Sequence, residues 1–303
     1  MNWTDSDTWI VITAILCATA SSLPGCFLVL RKMSMMGDAI SHAVLPGLAT
    51  AFILTGSRAS ISMFIGAVVI GLLTALFTQW VSKFGKVDKG ASMGIVFTTL
   101  FAIGLILIVK AADHIDLDAE CVLYGAIEMV PLDTLTLGAL EIPRATITIG
   151  IILLINLALI IAFFKEFRLS SFDESLCDTM GISSKFMHYL LMTMVAVTTV
   201  ACFESVGSII VIAMLIAPPA TALLVTKRLV PLLCISCLFG TMAAVIGHSL
   251  ALSIPVAFNI PETTTSGMIA VTSGILFVLT WLSILWLQRR RTIVTDQAEG
   301  ADS

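Results

Sequence analysis

The stretch WIVITAILCATASSLPGCFLVL, Trp9 to Leu30, carries no charged residue and is long enough to cross a hydrocarbon core of about 30 Å as a helix. The acidic NWTDSD precedes it and Arg31-Lys32 follows it. A cleaved secretory leader carries its positive charge in front of the apolar run, so this segment reads as a retained membrane helix with its N-terminus outside. The rest of the chain repeats the pattern. Of 303 residues, 58% are hydrophobic and 12% charged, against roughly 25% charged in a soluble domain. Mean hydropathy is +1.05. The expectation is an all-α, polytopic helical membrane protein.

About nine spans follow, near 9–30, 37–55, 61–81, 90–109, 145–164, 186–203, 206–225, 230–252 and 265–287. They fill a transmembrane domain over 1–288 and leave a cytoplasmic tail over 289–303. Pro46 and Pro218-Pro219 are expected to interrupt the second and seventh spans, because proline removes a helical donor. With the N-terminus outside and the C-terminus inside, thirteen of the sixteen Lys and Arg residues fall on the cytoplasmic side, leaving only Arg58, Lys110 and Arg144 outside.

The outer loops are acidic, and Asp113 to Glu120 crowd four carboxylates and His114 into one of them. That loop lacks the central glycine and distal glutamate of a calcium loop, so it reads as a cation-attracting or docking surface. Of the seven cysteines, five fall in apolar segments and Cys121 and Cys177 in loops, which is no disulfide framework, and Cys234 and Cys237, although spaced as CxxC, read as small packing residues.

Ionisable groups in the predicted interior are few: Asp38, His42, His248 and, near an outer boundary, Glu204. Charge there costs several kcal/mol, roughly 2.5 to 3.5, so such groups tend to line a path or pair with one another. Asp38 and His42 stand four apart and share a helix face, presenting one carboxylate and one imidazole to a common point, half of a first-row divalent metal site. A local Asp–His hydrogen bond, or Asp38 acting as a helix cap, is the alternative. His248 lies nearer the outer face, and Glu204 is either an outer-gate residue or a carboxylate meeting headgroups. The cytoplasmic stretch KEFRLSSFDESLCDTMGISSK, Lys165 to Lys185, fits a short surface helix over about 170–184, capped by Ser170 or Ser171 and stopped by Gly181. The chain has no phosphate-binding loop, HExxH or GxSxG, so it is not read as an enzyme, and any ATP hydrolysis belongs to another polypeptide.

Four stretches in order, LRKMSMMGDAISHAVLPG from Leu30, FKEFRLSSFDESLCDTMGI from Phe164, FESVGSIIVIAMLIAPPATALL from Phe203 and IGHSLAL from Ile246, resemble the metal-type permeases of bacterial ABC importers. The resemblance implies an ABC importer permease fold in the bacterial cytoplasmic membrane, with a vitamin-B12-permease-like architecture lacking its first helix. It implies three kinds of protein partner: an ATPase dimer, a second permease (identical or paralogous), and an extracytoplasmic metal-binding protein. Membrane lipid surrounds the chain, no nucleic acid is expected, and no cofactor is held permanently. The family's metal path maps onto Asp38, His42 and His248. Its ATPase-coupling helix maps onto Phe172 to Gly181, with Phe172, Asp173, Glu174 and Gly181 as the contact residues. Cys177 stands where the family usually has Ala, and Pro219 stands where it usually has Ala. FESVGSIIVIAML looks closest to the manganese and iron branch. Mn²⁺ is therefore the expected cargo, with Zn²⁺ or Fe²⁺ as alternatives that mixed oxygen and nitrogen donors also accept. A different class, an ion-coupled secondary transporter using Asp38 as its coupling site, fits the bare residues too.

Overall fold

The computed structural model describes residues 3–55, 60–111, 126–137, 140–258 and 263–299. The acidic loop 113–120 and Glu262 lie outside the described residues. Nine helices among the described residues are long and apolar enough to cross a membrane. In chain order these are α1 Asp5–Leu30, α2 Met36–Thr55, α3 Ser60–Gly85, α4 Lys89–Ala111, α5 Arg144–Ala162, α8 Ser184–Val206, α9 Ser208–Val225, α10 Leu229–Phe258 and α11 Thr265–Glu299. Two short helices, α6 Phe164–Phe172 and α7 Glu174–Thr179, join α5 to α8.

α1 is the axis of the bundle and packs against α5, α8, α9 and α10. Its small residues Ala14, Cys17, Ala18, Ala20, Ser21 and Ser22 are all buried, which lets neighbouring backbones approach closely. α2 is held in a second group between α3 and α4, with α8 bridging the two groups. α11 is at the periphery, with Val278, Leu279, Trp281, Leu282 and Trp286 exposed toward what would be lipid.

The prolines do not interrupt their helices, contrary to the sequence expectation. α2 runs through Pro46 and α9 through Pro218-Pro219 as continuous α-helix. Each proline costs one ladder bond, leaving the carbonyl four residues back to find another donor. Pro24 in α1 shows the compensation, since the Ala20 carbonyl it releases accepts from Asn156 Nδ2 of α5 at 3.2 Å. In α2 the released carbonyl belongs to His42.

The loop between α4 and α5 contains a 3-10 helix, Ile127–Leu132, and an antiparallel hairpin of β1 Thr134–Leu137 and β2 Leu140–Pro143, with Leu135 opposite Ile142. Arg144 closes it through Asp133 at 3.2 Å. The final helix continues beyond the boundary read from hydropathy, to Glu299.

Candidate metal site and coupling surface

α1 ends in a Schellman turn: the Met33 N–H donates to the Leu28 carbonyl at 2.9 Å and the Lys32 N–H to the Val29 carbonyl at 3.1 Å, with Lys32 at φ 56°. That reversal launches α2, and Asp38 is its third residue, inside the first turn, where a carboxylate suits the positive end of the helix. It is not the cap. One turn on, His42 Nε2 lies 3.3 Å from Asp38 Oδ1. Phe97 and Phe101 of α4 flank the imidazole, with ring centroids at 5.7 and 6.1 Å. The carboxylate and imidazole keep 26% and 40% of their surface open. The carboxylate and the imidazole therefore share an accessible spot. Among the described residues no group of three or more His, Cys, Asp or Glu could enclose an ion.

His248 belongs elsewhere. Along the helices, His42 is about 9 Å from the start of α2 and His248 about 29 Å from the start of α10, on a rise of about 1.5 Å per residue. Both starts lie at the same end of the bundle, so the two histidines sit at different levels. His248 is 1% exposed. Its Nε2 is 3.4 Å from Asp7 Oδ1, and its Nδ1 is 3.4 Å from Thr265 Oγ1. Trp3 meets the ring edge-on at 5.5 Å. Asp7 also closes the capping box of α1 through its other oxygen, which accepts from the Thr4 N–H at 2.7 Å. Glu128 accepts from the Thr265 N–H at 2.6 Å and so caps α11 from the 3-10 segment. This cluster ties together four segments at the outer end. Glu204 lies in the last turn of α8, just before Gly207 at φ 92°.

At the opposite end, the expected single surface helix is two. Asp173, extended at φ −150°, breaks the chain between α6 and α7 and accepts from the Ser175 and Leu176 N–H groups at 3.0 Å each. It is the cap, in place of Ser170 or Ser171, which lie inside α6. The Ser175 hydroxyl and those two amides hold the Asp173 carboxyl below the usual carboxylate range. Gly181 stops α7 as expected. At φ 80° it donates to the Asp178 carbonyl at 3.2 Å, and the Ile182 N–H donates to Cys177 at 3.2 Å, completing a second Schellman motif. Phe172, Leu176 and Met180 are exposed at 60%, 46% and 65%. Phe172 and Met180 line a groove at the inner end with Leu169, Ile182 and Val230, rimmed by Lys165, Glu166, Arg168, Lys227 and Arg228.

The sequence reading counted Arg31 only as a topology charge and missed how this segment is fastened. The Arg31 guanidinium donates to Ser170 Oγ at 2.7 Å and Ser171 Oγ at 3.3 Å. The fully buried Phe167 ring lies 5.2 Å from Phe27 of α1. An aromatic pair between two helices far apart in sequence leaves no local signal.

A family model described as the ABC 3 transport family matches residues 7–284. The manganese transport system membrane protein MntD of Bacillus subtilis is 42% identical over 91% of this chain and 91% of its own. The zinc transport system membrane protein TroD of Treponema pallidum is 37% identical over 90% of this chain and 72% of its own. Among solved structures, PsaBC from Streptococcus pneumoniae in complex with Fab superposes with a TM-score of 0.71 at 34% identity, covering 92% of this chain and 91% of that one.

Proposed function

The chain belongs to the ABC 3 transport family, and on that premise we propose that it is the membrane permease of an ATP-driven importer of divalent transition-metal ions, with manganese as the principal cargo. The observation that carries this reading is the Asp38–His42 pair at 3.3 Å, with both side chains partly open to solvent. Carboxylate and imidazole are donors that Mn²⁺ accepts, and a shell left incomplete in one chain binds weakly enough to release its ion. A second permease, identical or paralogous, facing this one would supply the remaining donors. A relative named for manganese favours that ion, and a relative named for zinc makes Zn²⁺ the second choice.

The exposed Phe172, Leu176 and Met180 surface is the docking face for an ATPase subunit, since apolar side chains at the inner end of a membrane bundle need cover. ATP-driven closure of that partner would pull on α6 and α7 and re-expose the path. The opposite end, with the α1 N-terminus, would receive the ion from an extracytoplasmic metal-binding protein, and the charge split supports a cytoplasmic position for α6 and α7.

The test is radiolabelled Mn²⁺ uptake by cells expressing the permease with its ATPase and binding protein, comparing wild type with Asp38→Ala and His42→Ala under Zn²⁺ and Fe²⁺ competition. Uptake lost in both variants, at unchanged membrane abundance, is the expected result. Uptake that survives both substitutions removes the pair from the path, and uptake abolished by an uncoupler but indifferent to ATP depletion identifies a secondary transporter.

A further inference from the structure

At the inner end, α3, α4, α7 and α8 enclose a cleft of about 360 Å³ that nothing in the transport path uses. Lys83, Lys89 and Lys185 stand on its walls, and among the described residues none of them has an acidic partner within 4 Å. Deeper in, Thr78 is 2% exposed and its hydroxyl has no partner. The contrast with Thr74 is informative: one turn earlier on α3, that hydroxyl donates to the Ile70 carbonyl at 2.8 Å in the way usual for a helical threonine. His188 Nε2, shielded from solvent on the facing helix, is also unpartnered. Asp178 borders the cleft, but its two oxygens are occupied by the Ser184 N–H at 2.9 Å and the Ser184 hydroxyl at 3.0 Å. Three ammonium groups, partly offset by the Asp178 carboxylate that interacts with Lys185, and two unpartnered polar atoms, Thr78 Oγ1 and His188 Nε2, surround one concavity and favour a ligand rich in acceptor oxygens.

The neighbouring surface says what carries those oxygens. Lys83 and Lys185 are shared with an adjoining groove lined by Leu76, Phe77, Trp80 and Phe84. Trp80 and Phe84 are 62% and 70% exposed, with their rings 5.5 Å apart. A basic cleft opening onto an aromatic and aliphatic groove at the end of a membrane helix matches the two halves of a phospholipid.

We propose that the cleft between α3, α4, α7 and α8 binds a phosphate group, that of an anionic phospholipid whose acyl chain lies along the Trp80–Phe84 groove. The inference depends on the transporter reading only for the side of the membrane involved. Because Asp178 and Ser184 join α7 to α8 beside the cleft, an occupied site would brace the coupling segment.

The experiment uses the permease–ATPase complex in nanodiscs of phosphatidylcholine doped with phosphatidylglycerol, with retained lipid read by native mass spectrometry. Wild type should hold phosphatidylglycerol, and Lys83→Gln/Lys89→Gln/Lys185→Gln should weaken retention roughly a hundredfold, at about fivefold per cation. Thr78→Val, which keeps shape and removes only the hydroxyl, should weaken it severalfold and guards against misassembly of the triple variant. Lys86→Gln removes a charge from the same turn outside the cleft and should leave retention within about twofold. In discs of phosphatidylcholine alone, inorganic phosphate is titrated against amine labelling of Lys83 and Lys185. Protection there without phosphatidylglycerol retention would assign the same site to a soluble phosphate. Retention unaffected by the triple variant, or no binding in either arm, would overturn the proposal. Metal-stimulated ATP hydrolysis in the same particles reports separately on the transporter reading.

Discussion

Gly181 offers the sharpest test of the coupling segment, because a substitution there separates backbone strain from every other effect. The residue sits at φ 80°, and a Cβ built on it meets nothing within 4 Å. Gly181→Ala therefore removes no contact and creates no clash. Its cost is the left-handed backbone alone, about 1–2 kcal/mol for a residue with a Cβ. If α7 must end in this Schellman turn to present Phe172, Leu176 and Met180, that cost passes into docking. ATPase affinity should then fall roughly 5- to 30-fold. Asn tolerates the left-handed region better, so Gly181→Asn should recover most of the loss. Gly181→Pro should be worst, since it forces φ to about −65° and deletes the N–H that reaches the Asp178 carbonyl at 3.2 Å. The assay is titration of the solubilised permease with its ATPase, read as a dissociation constant and as metal-stimulated hydrolysis. The order glycine, asparagine, alanine, proline is the expected ranking. Four equal affinities would refute the reasoning outright, and alanine as damaging as proline would show that space, not backbone conformation, limits the turn.

Arg31→Gln should leave docking of α7 intact while lowering metal-stimulated ATP hydrolysis several-fold, because it cuts the link to Ser170 and Ser171 without touching the exposed apolar face; equal loss of docking would make Arg31 a plain structural residue. Leu215→Ala, which opens space beside Gly37, should destabilise by about 2–5 kcal/mol and uncouple hydrolysis from uptake, checked by thermal melts and by the uptake-to-hydrolysis ratio. The Asp173 cap is present above the ordinary aspartate range and is lost only as pH falls through its lowered value. Protection of the Ser175 and Leu176 amides, corrected for intrinsic exchange, should therefore stay level from pH 8 to about 5 and vanish at all pH values in Asp173→Ala. A cysteine at the exposed Leu132 should react with an impermeant thiol reagent in intact cells, and labelling only after lysis would invert the orientation.

The spans were legible because the bilayer imposes a length and a composition that survive in any local window, so most of the helix ends read from hydropathy fall within two or three residues of the observed ones. What failed was anything decided across the bundle. Pro46 and Pro218-Pro219 read as breaks because their neighbours were invisible, whereas a packed bundle tolerates a lost ladder bond when other groups re-satisfy the freed carbonyl. The cap of α7 was placed two or three residues early because serine and aspartate compete for that role, and Arg31, distant in sequence, engages both serines. The Asp38–His42 pair was legible since four residues on one helix fix its geometry. The association of His248 with Asp7 joins segments 241 residues apart, and no spacing rule reports it.

How a motion at α6 would reach Asp38 follows from the contacts. Phe167 bears on Phe27, and Arg31 holds the same helix one turn later. α1 in turn meets α9 where Gly25 faces the Leu215 backbone so closely that a Cβ there would strike its carbonyl. The Leu215 side chain then occupies the space a Cβ on Gly37 would need, and Gly37 precedes Asp38. Leu215 is thus clasped between two glycines on different helices, one on the helix that Phe167 and Arg31 join to α6 and the other adjacent to the candidate ligand. Close-packed interiors shift between discrete arrangements and do not deform continuously, so a displacement of α1 has to be absorbed at this contact. Contiguity alone is not coupling. It does predict where coupling must show, because Gly37 has no side chain with which to yield, and the carboxylate one residue on must move with the helix that carries it.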